Sequence, residues 1–223
     1  MEYKITVCAG AIFLNLCVSF SDGIDGPDMA WKNTVCLSFV AVKTEDMKTL
    51  LLLRHAKSSW SDPGRADHDR ELNRRGEKAA PFMGRYLRES VLVPDLVWCS
   101  TAARAVQTLG LLGRDFASHA DVIYSQDLYM AGEGVLLESL HHTHEDASSV
   151  MFIGHNPGLE LFAQALFGGG DEALRDNMAR KYPTCALAHF EFDVENWGDI
   201  KLGSGTLIGF TKVKDLQAVR IGS

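Results

Sequence analysis

Short apolar runs alternate along this chain with longer segments in which apolar residues recur every three or four positions. A short apolar run bounded by polar residues is typical of a buried β-strand, and the longer repeat is typical of an amphipathic helix. Strands that alternate with helices predict an α/β domain, a three-layer sandwich with a mostly parallel central sheet. The predicted strands are 49–53, 95–100, 120–129, 148–155, 185–200 and 205–213, and the predicted helices are 72–90, 101–116, 133–146 and 159–168.

Two of the predicted helices carry local signals for where they begin or end. Asn73 lies at the start of the first helix and is an acceptable N-cap, because its side chain can accept a hydrogen bond from a free backbone N–H. Pro81 inside that segment predicts either a kink or a later start of the helix. Three glycines at 168–170 predict the end of the last helix.

The first 46 residues differ from the rest of the chain, because residues 5–20 are almost entirely apolar. This segment is compatible with the core of a targeting peptide, with an ordered extension, or with an upstream stretch that precedes a start of translation at Met47. It is short for a transmembrane helix, which needs roughly 20 apolar residues. We therefore divide the chain into an N-terminal extension, 1–46, and a folded domain, 47–223.

Composition and charge narrow the possible functions. The 223 residues carry a formal net charge of −7, which argues against a nucleic-acid-binding protein, since such proteins usually present a basic face. The five cysteines form no CxxC pair, so neither a disulfide framework nor a zinc site is expected. Reduced thiols are typical of the cytoplasm, which is the expected location; a genuine presequence in 1–46 would instead direct the protein to an organelle or out of the cell. We expect no membrane partner for the folded domain.

Three of the predicted strands end in residues that are unusual at a strand end. The first ends in Arg54 and His55, the second is followed by Arg104 in the next helix, and the third ends in His155. In an open α/β sheet, ligands bind beyond the carboxyl ends of the strands. If the three strands are neighbours, two guanidinium groups and two imidazoles share one pocket, and this set suits a dianionic phosphate group.

The segments around these residues carry a family resemblance. They read LLLRHAKSSW at 51–60, STAARAVQT at 100–108 and GHNPGLE at 154–160, and further matches are ELNRRGEKAA and KYPTCALAHFEFD. Together they resemble the histidine phosphatase superfamily, which has the phosphoglycerate-mutase-like fold, and are most similar to its SixA-like phosphohistidine phosphatase branch. The resemblance extends over about residues 48–215.

The resemblance implies a role for each residue of the expected pocket. His55 is the expected nucleophile, which becomes transiently phosphorylated, and Arg54 and Arg104 are expected to hold the phosphoryl oxygens. His155 is expected to complete the pocket. No metal ion or other cofactor is expected, because the arginine side chains supply the positive charge. The residues expected in supporting roles are Ser58 and Asn156.

The general acid of the larger relatives bears on the choice of substrate. Those relatives use a glutamate to protonate an alkoxide leaving group. In this sequence Glu133 is the one candidate for that role, and a weak one. An alkoxide needs this help because its conjugate acid has a pKa of roughly 16. An imidazole leaves more easily, because its ring takes up a proton near a pKa of about 6.5.

The expected function is therefore a metal-independent phosphatase that acts on phosphohistidine. A phosphomonoesterase for a small metabolite, using the same nucleophile, is the alternative. The expected partner is correspondingly a phosphorylated protein or a small phosphorylated metabolite.

Two other interpretations are weaker. A catalytically inert phosphate-binding module would not need all four pocket residues. The tract HHTHED at 141–146 holds two histidines three residues apart, as a metal site would require, but it ends a polar helix, where histidine interacts favourably with the helix dipole.

Overall fold

The computed structural model describes residues 4–8, 11–18, 35–39, 47–113, 116 and 119–221, and the side chains up to residue 217 of the last stretch. The chain divides into two compact units, Met1–Asp46 and Met47–Ser223. In the first unit, strands β1 (Lys4–Cys8), β2 (Ala11–Val18) and β3 (Val35–Phe39) form an antiparallel sheet in that order. Two of these strands cover most of the apolar segment 5–20, whose residues 9, 10, 19 and 20 lie outside the described residues. None of the described helices is long and apolar enough to cross a membrane.

The second unit is built on a seven-stranded sheet. The strands are β4 (Met47–Arg54), β5 (Leu96–Ser100), β6 (Asp121–Ser125), β7 (Ser149–Gly154), β8 (Phe167–Gly170), β9 (Leu187–Asp193) and β10 (Gly205–Thr211). The strand order is β6-β5-β7-β4-β9-β10-β8. Six of the seven strands run in one direction and β9 runs against them, because it pairs antiparallel with both of its neighbours. The mostly parallel α/β fold expected from the sequence is confirmed.

Helices cover both faces of this sheet, so the domain has three layers. The helices are α1 (Arg74–Glu89), α2 (Ala103–Leu112), α3 (Glu133–His141), α4 (Gly158–Leu166), α5 (Glu172–Arg180) and α6 (Val213–Ile221). The four leucines of β4 alternate between the faces of the sheet: Leu51 and Leu53 pack with α1 and α2, whereas Leu50 and Leu52 pack with α3, α4 and α5. All four are fully buried, which explains why the sequence of β4 is a continuous apolar run.

The N-cap of α1 is as predicted. The Asn73 side chain accepts hydrogen bonds from the backbone N–H groups of Arg75 and Gly76, each at 3.0 Å. The helix begins directly after this cap and continues through Pro81, which is exposed, so the late start that the proline suggested does not occur.

The structure corrects several of the sequence-based boundaries. The strand predicted over 120–129 ends at Ser125, and the strand predicted over 185–200 ends at Asp193. The glycines at 168–170 belong to a strand, β8, and Gly168 brings its backbone so close to the carbonyl of Gly203 that a Cβ would lie 2.0 Å from that oxygen. The helices α5 and α6 were not predicted, because the first is short and polar and the second follows directly on a strand. The helix predicted to reach 146 ends at His141. The helix predicted over 101–116 ends at Leu112, followed by Gly113, and residues 114 and 115 lie outside the described residues.

Gly84 allows α1 and α2 to approach closely. A Cβ at Gly84 would lie 1.8 Å from the carbonyl oxygen of Leu112, so Gly84→Ala is expected to lower the free energy of unfolding by about 3 kcal/mol, measured by urea denaturation. The matched control is Gly110→Ala in α2, where an added Cβ meets nothing within 4 Å. This second change is expected to leave stability unchanged or to raise it by up to about 1 kcal/mol. Equal destabilisation by both changes would contradict the packing argument.

Candidate active site

Three neighbouring parallel strands end at the edge of the sheet where the candidate residues lie. In the order β5-β7-β4, Cys99 of β5 pairs with Ile153 of β7, and Gly154 of β7 pairs with Arg54 of β4. The backbone N–H of His55 then donates to the carbonyl of Gly154 at 3.1 Å, which extends this register by one residue. The residues that follow the three strands are therefore brought to one edge, where α/β proteins bind their ligands.

The imidazole of His55 is fixed in one tautomer by its neighbours. Its Nδ1 lies 2.7 Å from the carbonyl oxygen of Ala56, which can only accept, so Nδ1 carries the proton. The Nε2 atom therefore presents its lone pair, and it accepts a hydrogen bond of 3.3 Å from Nε–H of Arg104. Thr108 holds the turn in place, since its hydroxyl accepts from the Ala56 N–H at 2.9 Å and donates to the Arg104 carbonyl at 2.6 Å.

His55 is neutral because of its surroundings. Only 7% of the residue is exposed, and this burial lowers the pKa of the imidazole to about 3. The positive charges of Arg104, Arg54 and Arg70 add to the decrease, and the hydrogen bond to Ala56 opposes it. At neutral pH Nε2 thus carries no proton, and its lone pair faces Nε–H of Arg104.

Arg104 is held by the acidic residue Asp67. Its two terminal nitrogens donate to Asp67, one to the backbone carbonyl at 2.5 Å and one to carboxylate Oδ2 at 3.0 Å. Asp67 also accepts from Arg70 at 2.6 Å and from the hydroxyl of Tyr129 at 2.7 Å. The hydrogen bond from Tyr129 and the two arginines lower the pKa of the Asp67 carboxyl to about 2, so it is ionised at neutral pH.

Arg54 and Asn156 are both held by the carbonyl of Tyr182. Arg54 donates to it at 2.7 Å and Asn156 donates to it at 3.2 Å. The hydroxyl of Tyr182 donates in turn to the carbonyl of Leu52 in β4 at 2.5 Å, which ties this segment to the strand that carries Arg54. The Nε atom of Arg54 is buried and has no hydrogen-bond partner among the described residues.

His155 lies beside His55, with ring centroids 5.0 Å apart. Its Nε2 is 2.8 Å from the hydroxyl of Ser100 at the end of β5, and its buried Nδ1 has no hydrogen-bond partner within the described part of the chain. Burial, together with the neighbouring His55, lowers the pKa of His155 to about 3. Both imidazoles of the site are therefore neutral at neutral pH, and the positive charge comes from the arginines.

Comparison with known proteins gives this arrangement a family. A family model described as the histidine phosphatase superfamily (branch 1) matches residues 50–129. A protein of Mycobacterium tuberculosis, itself uncharacterised, is 36% identical over 160 residues, which are 71% of this chain and 98% of that protein. The chain belongs to the histidine phosphatase superfamily.

Two solved structures place this histidine phosphatase in the SixA-like branch. A candidate phosphohistidine phosphatase SixA from Nakamurella multipartitia is 29% identical, with a TM-score of 0.64 over 74% of this chain and 96% of the other. Its counterpart from Agrobacterium tumefaciens is 30% identical, with a TM-score of 0.63 over 74% of this chain and 97% of the other. The resemblance seen in the sequence is confirmed, and the protein is a phosphatase.

In this histidine phosphatase, the structure brings together the four residues that were predicted to form the pocket: Arg54, His55, Arg104 and His155. It does not bring Glu133 to them by any contact: this residue is exposed in the first turn of α3, and its carboxylate has no hydrogen bond or ion pair with a described residue. In the tract 141–146, His141 hydrogen-bonds to the carbonyl of Ile200 at 2.9 Å and His142 to the carbonyl of Glu138 at 2.8 Å. The described residues contain no cluster of three or more metal-binding side chains.

Three residues of the site were missed by the sequence analysis: Asp67, Arg70 and Tyr129. Asp67 and Arg70 are three residues apart in DHDREL, a segment between β4 and α1 that has no apolar period and drew no prediction. The available signal in the sequence was a carboxylate and a guanidinium three residues apart, shortly before the N-cap of a helix. Nothing in the sequence around Tyr129 indicates that its hydroxyl reaches Asp67. Ser58, expected in a supporting role, accepts a hydrogen bond from Arg70 at 2.8 Å.

Proposed function

We propose that this histidine phosphatase removes phosphate from phosphohistidine in proteins, without a metal ion, and that His55 is its nucleophile. The observation that carries the proposal is the unprotonated Nε2 of His55, whose lone pair accepts a hydrogen bond from the guanidinium of Arg104 while the Nδ1 proton is held by the Ala56 carbonyl. A neutral imidazole next to cationic side chains can attack an anionic phosphoryl group, because the cations offset the negative charge on its oxygens.

In the first step, the hydrogen bond from Arg104 to Nε2 opens, the Nε2 lone pair attacks phosphorus, and the bond from phosphorus to the substrate's imidazole nitrogen breaks. The electron pair of that bond stays on the leaving nitrogen. When the other nitrogen of the substrate ring carries a proton, the ring leaves as neutral imidazole and no further acid is needed. The ring of His55 keeps its Nδ1 proton and becomes positively charged, and the hydrogen bond to the Ala56 carbonyl stabilises that charge.

In the second step, a water oxygen attacks phosphorus and the bond to Nε2 breaks. Its electron pair returns to Nε2, so His55 is again neutral, and both protons of the water leave on dihydrogen phosphate. Arg54 and Arg104 contact the phosphoryl oxygens in both steps and match the charge that these oxygens carry in the transition state. His155, neutral and buried beside His55, completes the wall of the pocket.

The substrate class follows from the acids that the site offers. Asp67, the carboxylate that contacts Arg104, is held ionised by Tyr129, Arg104 and Arg70, so it has no proton to donate at neutral pH. A second carboxylate, Glu160, accepts a hydrogen bond from Asn156 at 2.6 Å. Glu133 is exposed at the start of α3. A protonated phosphoimidazole needs no acid, whereas an alkyl phosphate does, and this difference favours phosphohistidine.

A panel of substrates tests the proposal on the full chain in the presence of EDTA. It compares a peptide carrying phosphohistidine with an alkyl phosphate and with p-nitrophenyl phosphate. We expect kcat/KM for the phosphohistidine peptide to exceed that for the alkyl phosphate by about 10²-fold or more, the usual contribution of a general acid. Glu133→Gln is the control and is expected to change neither rate.

Two outcomes would overturn the proposal. Equal or faster turnover of the alkyl phosphate would show that an acid takes part and that the protein is a phosphomonoesterase for small metabolites. Loss of all activity in EDTA, with recovery on addition of a divalent cation, would refute the metal-independent mechanism.

A further inference from the structure

A second cleft, of about 370 Å³, is lined by cationic side chains. They come from three parts of the chain that are distant in sequence: the segment after β4, the first turns of α1, and the start of α6. The rest of the lining includes the small apolar side chains of Ala79 and Val213. We refer to this as the basic cleft, and its cations are Lys57, Arg75, Lys78, Lys212 and Lys214.

The charges of the basic cleft are not neutralised by the described part of the protein. None of its five cationic side chains forms an ion pair with a carboxylate among the described residues. Lys212 is buried and donates to the side-chain oxygen of Asn177. Burial lowers the pKa of Lys212, and nearby cations, Lys214 first among them, lower it further, whereas the charge of Asp215 opposes the decrease. A chain with a net charge of −7 thus concentrates unpaired positive charge at one place.

The basic cleft adjoins the candidate active site through the chain itself. Lys57 follows His55 by two residues, so their Cα atoms are at most roughly 7 Å apart. On the other side, Pro183 lines the cleft and directly follows Tyr182, whose carbonyl holds Arg54. The N–H of Cys185, two residues further on, donates to the carbonyls of both Arg54 and His55, at 3.0 and 3.1 Å. The basic cleft and the candidate active site therefore share the segments that flank or hold Arg54 and His55.

We propose that the basic cleft binds acidic side chains that flank the phosphorylated histidine of a protein substrate. This inference rests on the proposed function, since it concerns the substrate of the same site. Lysine and arginine groups without carboxylate partners bind carboxylates by charge-assisted hydrogen bonds, and the apolar wall accepts the methylene groups of such side chains. The net charge of −7 argues against nucleic acid, whose binding sites usually present an extended basic face.

The test compares two histidine-containing peptides that are phosphorylated chemically with phosphoramidate. One carries four Asp and Glu residues around the phosphohistidine, and the other carries Ser and Gly there. For the unmodified full chain at low ionic strength, we expect kcat/KM to be about tenfold higher for the acidic peptide, which is the effect of two to three exposed ion pairs. This preference should disappear in 0.5 M salt, because salt screens such contacts.

Two double variants with the same change in net charge separate the cleft from overall charge. Arg75→Gln/Lys78→Gln removes two cations of the basic cleft, and the preference for the acidic peptide is expected to fall to about twofold. Arg74→Gln/Lys201→Gln removes two exposed cations that do not line the cleft, and it should keep the full preference. The same loss in both variants, or no preference in the unmodified protein, would overturn the proposal.

A binding measurement keeps this result distinct from failure of the proposed function. Fluorescence anisotropy of the labelled acidic peptide without phosphate reports on the cleft even if neither phosphopeptide is hydrolysed. Binding that the Arg75→Gln/Lys78→Gln variant weakens, and the control variant does not, supports the cleft in that case. Tighter binding of a labelled oligothymidylate of equal charge, lost in the same variant, would instead assign the cleft to nucleic acid.

Discussion

Replacing His55 by asparagine is expected to lower kcat at least about 10⁴-fold, the scale of losses seen when a nucleophile is removed. Asparagine keeps a side-chain N–H close to the position of Nδ1, so the hydrogen bond to the Ala56 carbonyl is retained. It lacks the second ring nitrogen, whose lone pair accepts the hydrogen bond from Arg104. The variant thus removes the proposed nucleophile and keeps the turn that holds it. Initial rates with p-nitrophenyl phosphate and with a phosphohistidine peptide measure the loss.

Binding and trapping experiments identify what the asparagine variant has lost. If only the nucleophile is missing, the variant should still bind vanadate with an affinity within about threefold of the unmodified protein, because Arg54 and Arg104 remain. Quenching the unmodified protein in alkali during turnover of a radiolabelled substrate should trap a phosphoramidate, which is stable to alkali and labile to acid. We expect that label on His55 and none in the variant. Label on His155, or activity within tenfold of normal, would show that His55 is not the nucleophile.

The sequence predicted the fold and the placement of the four pocket residues for one physical reason. Strands buried on both faces are continuous apolar runs, so β4, β5 and β7 stood out, and their polar ends stood out with them. That Arg54 lies beside Gly154, the residue before His155, depends only on the pairing of β4 with β7, which a parallel sheet supplies. The helices α5 and α6 and the strand β8 lie outside this pattern, since their apolar content is low or their glycines resemble a terminator.

The electrostatic part of the site could not be predicted in the same way. Asp67 reaches Arg104 from a short 3₁₀ turn, Asp67–Asp69, and Tyr129 reaches Asp67 from a turn after β6. Neither turn has a period that fixes the direction of a side chain. The tautomer of His55 likewise depends on a carbonyl of the next residue, and a backbone oxygen leaves no trace in the sequence. Residue types could be predicted for the pocket, but the contacts that set their charge and direction could not.

Arg104 is the second residue whose replacement should have a large effect. Its guanidinium contacts His55 through Nε and Asp67 through both terminal nitrogens, so it joins the proposed nucleophile to the carboxylate beside it. Lysine keeps the positive charge but provides one ammonium group in place of a planar fork. It cannot donate to Nε2 of His55, to Asp67 and to a phosphoryl oxygen in this geometry. We therefore expect Arg104→Lys to lower kcat/KM by about 10²–10³-fold, as the loss of a positioned donor does.

Arg70→Lys is the matched control for this prediction. Arg70 also donates to the carboxylate of Asp67, at 2.6 Å, but its other hydrogen bonds go to Ser58 and to the carbonyl of Ser59 and not to His55. Its replacement is expected to lower kcat/KM by only about tenfold, through a less ordered Asp67. If Arg70→Lys is as damaging as Arg104→Lys, the role of Arg104 is to hold Asp67. If Arg70→Lys is less damaging, the direct contact of Arg104 with His55 and with the transferred phosphoryl group accounts for the difference. A vanadate affinity that falls in Arg104→Lys but not in Arg70→Lys would show that Arg104 contacts the phosphate.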